Sequence, residues 1–308
     1  MHQAIEIRSL TKNYFLSTKL QQRPALQELN LSIPQGSIFA LLGPNGAGKS
    51  TLINILAGTV VKTSGAVLIM GTDIDLSPKI AKTKIGIVPQ EIVLDTFFTI
   101  YQTLEFAAGY YGLRKNVRKT EELLNALGLW DKRDSLPRQL SGGMKRRFLI
   151  AKAMVHSPPV LILDEPSAGV DLELREQLWA LITRLNNEGT TVIITTHYLA
   201  EAEELCDQIA FINHGQIIRQ DSKENLLSEL GAKYIEVEFD NVNSISLLSG
   251  IDEKFQQISG NKINIEFNTM HRSLNDLLGK FQGTGLVIKN IQVKQADLED
   301  VFKKVMSQ

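Results

Sequence analysis

Residues 43–51 read GPNGAGKST, and Gly43, Gly48, Lys49 and Ser50 stand at the fixed places of the phosphate-binding loop G-x-x-x-x-G-K-[ST]. That spacing is chemical. Glycines let successive backbone N–H groups fold around phosphate oxygens, so Pro44, Asn45, Gly46, Ala47 and Thr51 complete a cradle. Lys49 can reach outer phosphates, and the Ser50 hydroxyl can bind magnesium. A second stretch, VLILDEP (160–166), ends an apolar run in two carboxylates. Burying them is costly unless they face a cation or a site at the carboxyl end of a sheet. Asp164 suits a magnesium ligand and Glu165 a base that orients and deprotonates water. Three single residues join them. Gln90 ends KIGIVPQ with an amide able to bond both a metal ion and a mobile loop. His197 ends TVIITTH, where an imidazole can contact a terminal phosphate. Tyr14, in LTKNYF, can stack on a nucleobase.

A third stretch, LSGGMKRR (140–147), has the form of an anion site with no chemistry beside it. Met144, Phe148, Ala151 and Val155 recur at helical spacing, so a helix starts here. Ser141 is its expected N-cap, and Gly142 and Gly143 leave bare N–H groups at its positive end.

These groups need a scaffold. Short apolar strands, SIFALLG (37–43), KIGIVPQ (84–90), VLILDE (160–165) and TVIITTH (191–197), alternate with helical segments, as in an α/β domain around a largely parallel sheet. Two of them are nearly all apolar, as strands covered on both faces should be. Between Thr99 and Arg138 the strands stop, and YQTLEFAAGYYGL and KTEELLNALGLW read as amphipathic helices. A helical subdomain over about 95–140 is therefore expected within a domain spanning 1–230. Beyond it, 231–308 reads as a small α/β domain. KYIEVEF, NKINIEF and LVIKNIQVK alternate as strands, EKFQQISG pairs with NKINIEF across a turn, and SISLLSG, RSLNDLLGKF and ADLEDVFKKVM are helices. That order is ferredoxin-like.

Composition narrows the class. In 308 residues, 43% hydrophobic and 22% charged, the formal net charge is only -1, which gives no basic field to hold nucleic acid. The single cysteine, Cys206, rules out an intramolecular disulfide and suits packing in a reducing compartment. MHQAIEIRSL lacks the basic-then-apolar pattern of a secretory leader, and no apolar run reaches membrane-spanning length. A membrane role has to come through a partner.

GPNGAGKST, Gln90, LSGGMKRR, LILDEP, AGVD and His197 occur in the order found in nucleotide-binding domains of ATP-binding-cassette (ABC) proteins, and residues 1–225 resemble that family. The resemblance implies a P-loop NTPase fold of ABC type binding ATP and Mg2+. It implies a dimer in which the signature stretch of one copy binds the γ-phosphate held by the P-loop of the other. Ser141, Gly142 and Gly143 become ligands in trans, Glu165 the hydrolytic base and His197 the γ-phosphate sensor. Ser50, Gln90 and Asp164 become the metal ligands, Tyr14 the adenine platform, and Asp171 part of the loop coupling the two sites. The signature departs from the commonest form at Met144, where Gln is usual, and Thr is frequent where Ser167 stands.

GGMKRR, EPSAGVD and the closing ADLEDVFKKVM resemble ATPase subunits of ABC-2-type exporters. That branch implies a peripheral protein on the cytoplasmic face of the cell membrane, a homodimer seated on a separate permease, with no nucleic-acid partner. In such transporters the helical subdomain and the loop after Gln90 receive a short helix of the permease. An importer or lipid-transport subunit is the neighbouring alternative. A soluble ABC ATPase of DNA repair or translation is the distant one. Repair members insert coiled coils or zinc modules between P-loop and signature, where this chain has only about 90 residues, and translation members carry two cassettes.

Overall fold

The computed structural model describes residues 2–14, 24–94, 97–230, 232–240, 255–259, 261–268, 279, 287–295 and 297–306. It divides between Ser222 and Lys223 into two compact units.

The first unit is built on two sheets. Strands β1 (Gln3–Lys12) and β2 (Leu26–Pro34) bury alternate residues on one side of a bulge, Ile5 and Ile7 before Ser9 and Leu29, Leu31 and Ile33 after Glu28, both bulge residues at φ +46. The next elements are β3 (Ile38–Leu42), α1 (Lys49–Leu56), β4 (Ser64–Ile69), β5 (Thr72–Asp73), α2 (Pro78–Thr83) and β6 (Ile85–Val88). Strands β2, β1, β4 and β5 form an antiparallel sheet in that order. The strand readings above did not include it, although Leu29, Leu31 and Ile33 alternate with polar residues as a half-buried strand does.

The helical region follows: α3 (Ile100–Tyr110), closed by a Thr99–Gln102 capping box, α4 (Thr120–Ala126), and α5 (Gly142–Met154). Two guanidinium groups hold the carbonyl end of α4. Arg184 donates to Ala126 O at 2.6 Å and Arg147 to Leu127 O at 3.0 Å, as cations do at a helix C-terminus. The chain then returns to the second sheet through β7 (Val160–Asp164), α6 (Leu172–Asn187), β8 (Thr191–Thr196), α7 (Leu199–Leu205), β9 (Gln208–Asn213) and β10 (Gln216–Ser222).

The second sheet runs β10-β9-β3-β8-β7-β6, parallel apart from β10. All four strands expected from sequence lie in it. Val160 to Leu163 and Val192 to Ile194 are buried, which is why both runs lack polar residues. The main core lies between the two sheets, where Ile5, Ile7 and Leu31 meet Leu52 and Ile55 of α1 and Phe39, Ile162 and Ile212. Register sets the site: Leu42 pairs with Thr196, Asp164 with Thr195 and Val88 with Leu163. Four strands thus end at one level and deliver their following residues to one edge of the sheet.

The second unit contains α8 (Lys223–Leu230), β11 (Ala232–Phe239), β12 (Phe255–Ser259), β13 (Lys262–Asn268), β14 (Ile288–Gln295) and α9 (Leu298–Met306). Its sheet is antiparallel in the order β12-β13-β11-β14, so β11 and β12 bracket β13 while β13 and β14 bracket β11. This is the strand order of a ferredoxin-like sandwich. The expected helix SISLLSG lies outside the described residues, as does RSLNDLLGKF apart from Gly279. Alternation gives each face its chemistry. Ile235, Val237, Phe239, Ile263 and Ile265 are buried, while Glu236 and Glu238 pair with Lys262, and Glu238 also with Lys289.

Candidate functional site

The loop after β3 wraps the start of α1. Gly48 caps that helix at φ +113, a region closed to most side chains, and an added Cβ would stand 2.8 Å from Ala25 O. Gly46, at φ +79, has open space where a Cβ would sit, so the strain there is in the backbone and one side of the loop stays accessible. Lys49 is 6% exposed and folds back across the loop, donating to Gly43 O at 2.7 Å and Pro44 O at 3.1 Å. Burial lowers its pKa, and the nearby Glu165 and Asp164 oppose that shift. Gly48→Ala should therefore lose about 1–3 kcal/mol of stability in urea unfolding, from left-handed strain and the Ala25 clash together.

Across the pocket stand groups from three neighbouring strand ends. Glu165, just past β7, is buried and held at φ +46, its N–H donating to Thr195 O at 2.9 Å. Left-handed backbone is costly for a glutamate, and here the β8 contact fixes it. Its carboxylate accepts from the Gln90 amide at 2.9 Å and lies 3.2 Å from His197 Nδ1. One buried carboxylate thus links the residues after β6 and β8. Asp164, beside it, accepts a short hydrogen bond from the Thr195 hydroxyl. Burial raises the Asp164 pKa and the Glu165 charge adds to it, while Thr195, Lys49 and Arg146 pull it down.

Lys49, Gly46, Gly48, Asn45, Ser50, Thr51, Gln90 and Glu165 line one pocket of about 330 Å³. Among the described residues no group of three or more His, Cys, Asp or Glu forms a metal cage. A hydroxyl and a carboxylate at an open pocket suit magnesium, which keeps waters and takes ligands from a bound phosphate. Tyr14 does not line this pocket; it is 48% exposed, with Lys12 Nζ 4.7 Å from its ring centre.

The signature stretch lines a different pocket of about 440 Å³, together with Ala168, Gly169, Asp171 and Leu174. Ser141 caps α5, its hydroxyl accepting from Met144 N at 3.3 Å. Asp171 caps α6 in the same way, accepting from Leu174 N at 2.9 Å. Gly142 is exposed with nothing within 4 Å of an added Cβ, whereas one on Gly143 would collide with the Leu174 side chain. Of the expected helical face, Phe148, Ala151 and Val155 are buried; Met144 is half-buried, and nothing in the structure explains Met rather than Gln there.

Two participants had no sequence reading. Thr195 touches both carboxylate residues, a role visible only once β7 and β8 are in register. Arg146 is 4% exposed and donates to the carbonyls of Pro89 and Gln90, each at 3.2 Å. Its signal was the middle one of three successive positive residues, on the face of the helix that is buried.

Comparison with known proteins agrees with this geometry. The ABC transporter family profile matches residues 26–168. The linearmycin resistance ATP-binding protein of Bacillus subtilis is 35% identical over 289 residues, covering 91% of this chain and 93% of that one. The Nod factor export ATP-binding protein I of Rhizobium meliloti is 33% identical, covering 84% of this chain and 77% of its own. A dimeric ATP-binding cassette in a post-hydrolysis state with ADP and Pi superposes with a TM-score of 0.63 at 28% identity, covering 71% of this chain and 98% of that one. The chain belongs to the ABC transporter family, as an ATP-binding cassette of its ATP-hydrolysing subunit class.

Proposed function

We propose that this chain hydrolyses ATP, as one of two copies, to drive export through a separate membrane permease. The observation that carries the reading is that Gln90 and Glu165, the latter also 3.2 Å from His197 Nδ1, line the phosphate-loop pocket with Lys49. Residues 43–51 would hold the phosphates, with Lys49 on the outer oxygens and Tyr14 against the adenine. Ser50, Gln90 and Asp164 would hold Mg2+, which when bound neutralises charge on the phosphate oxygens. Glu165 would align the attacking water and take its proton, and His197 would touch the terminal phosphate. The carboxylate suits that work because Gln90 and His197 fix both its oxygens.

Ser141, Gly142 and Gly143 would serve the phosphate bound by the other copy. Support comes from the open space over Gly142 and from the separate pocket that this helix start lines. The dimeric relative with ADP and Pi supports the two-copy arrangement. Asp171, in that same pocket, would couple the two sites.

A groove of about 720 Å³ lined by Lys79, Lys82, Val93, Ala107, Tyr110 and Lys152 supports a permease docking place. Tyr110 is 92% exposed there, which suits a buried contact with a partner. No helix among the described residues is long and apolar enough to cross a membrane, so attachment to the cytoplasmic face would run through that partner. The names of the two curated relatives, one of resistance and one of export, favour outward transport over an importer or lipid-transport role. The second unit would steady the dimer, and removing residues 231–308 should weaken dimerisation more than ATP turnover.

Tagged protein from detergent-solubilised membranes should carry a multi-spanning permease, and the reconstituted complex should move cargo outward with ATP. Strictly inward movement would overturn export, and recovery with ribosomes or DNA in place of a permease would overturn the transport reading.

A further inference from the structure

Arg146 places a charge where the hydrolytic groups, the loop after β6 and the signature helix converge. It sits little more than one turn beyond Gly142 and is 4% exposed. One Nη1 serves two consecutive carbonyls, Pro89 O and Gln90 O, each at 3.2 Å. The side chain of the same Gln90 reaches Glu165 at 2.9 Å. Burial lowers the Arg146 pKa, and the charges of Asp164 and Glu201 oppose that shift. Glu201 lies on α7, four residues after His197, and is 1% exposed. Its Oε1 accepts from Trp179 Nε1 at 3.3 Å, while its Oε2 and the Arg146 Nε have no hydrogen-bond partner among the described residues.

A guanidinium buried this deeply costs stability unless its position is used. Its hydrogen bonds go to loop backbone beside a working side chain, not to helix or core. We propose that Arg146 is a positioning residue: it ties α5 to the backbone of Pro89 and Gln90 and so holds the Gln90 amide on Glu165. Because α5 begins at the signature, occupancy of Ser141–Gly143 is passed through Arg146 to the carboxylate serving the chain's own P-loop. This rests on the ATP-hydrolase reading above. Lysine is a poor replacement for Arg146, since its shorter, strongly hydrated ammonium does not set a nitrogen between the two carbonyls as the guanidinium Nη1 does.

A double-mutant cycle on kcat tests the proposal with the full chain, in complex with its permease if turnover requires it. Arg146→Met should lower kcat by ~10- to 100-fold through misplacement of the Gln90–Glu165 pair, with KM for ATP changed by less than ~3-fold. In a Gln90→Ala background the same substitution should cost no more than ~2-fold, because the two residues act as one unit. Arg146→Lys should fall between parent and Arg146→Met. If Arg146→Met does not fold, the cycle is run with Arg146→Lys. Multiplying losses, or an Arg146→Lys protein with parental kcat, would overturn the positioning role. A parent protein that binds but never hydrolyses ATP would instead overturn the hydrolase reading beneath it.

Discussion

Glu165→Gln should lower kcat for ATP hydrolysis by ~100- to 10,000-fold while leaving ATP affinity within a few-fold, since only the proton acceptor is lost. The substitution is nearly isosteric, so the buried slot stays filled. Its carbonyl can still accept from Gln90, which now donates at 2.9 Å, and the left-handed backbone remains held by Thr195. What changes is charge: an amide cannot take the proton of an attacking water. The second consequence has a definite sign. Burial and, after it, the Glu165 charge raise the Asp164 pKa, so neutralising Glu165 should shift that carboxyl toward its ordinary range. Steady-state turnover and equilibrium binding of a fluorescent ATP analogue separate lost turnover from retained affinity. Parental turnover in the Gln protein would remove Glu165 from the role of base.

Gly142→Val should be almost silent in the isolated chain and severe in the working protein. An added Cβ meets nothing within 4 Å at this exposed position, so urea stability should stay within about 0.5 kcal/mol of the parent. Binding of ATP at the chain's own P-loop should also be unchanged, because Gly142 lines a different pocket. Turnover should nevertheless fall by ~100-fold or more, the cost of losing preorganised N–H donors at a phosphate. Gly143 is a poorer probe. Its Cβ would strike Leu174, and lost activity there could reflect a displaced α6.

The sequence carried the site's chemistry in contiguous runs, and that part was legible. The P-loop announces itself because a phosphate cradle has to be built from neighbouring backbone groups. Asp164 and Glu165 stood out because carboxylates ending an apolar strand need a reason. The parallel strands were readable from their lack of polar residues, and the second unit's strands from strict alternation. Contacts between distant segments were not legible. Thr195 is one more β-branched residue until register sets it opposite Asp164. Arg146 looks like surface charge beside Lys145 and Arg147 until the fold brings Pro89 and Gln90 beneath it. Strand β1 is hard to read because the bulge at Ser9 breaks its alternation, whereas Leu29, Leu31 and Ile33 of β2 alternate plainly and were passed over.

The central claim is that the signature of one copy completes the P-loop site of the other. Co-expression of two differently tagged chains, Lys49→Ala and Gly142→Val, with purification through both tags, yields only mixed dimers. Each variant alone should be inactive, since every site in it lacks one half. In a mixed dimer one site pairs an intact Lys49 with an intact Gly142, so turnover should return to about half the parental rate under two-fold symmetry. Mixed dimers as inactive as either variant alone would contradict the shared site, because a signature acting on its own chain leaves no complete pair.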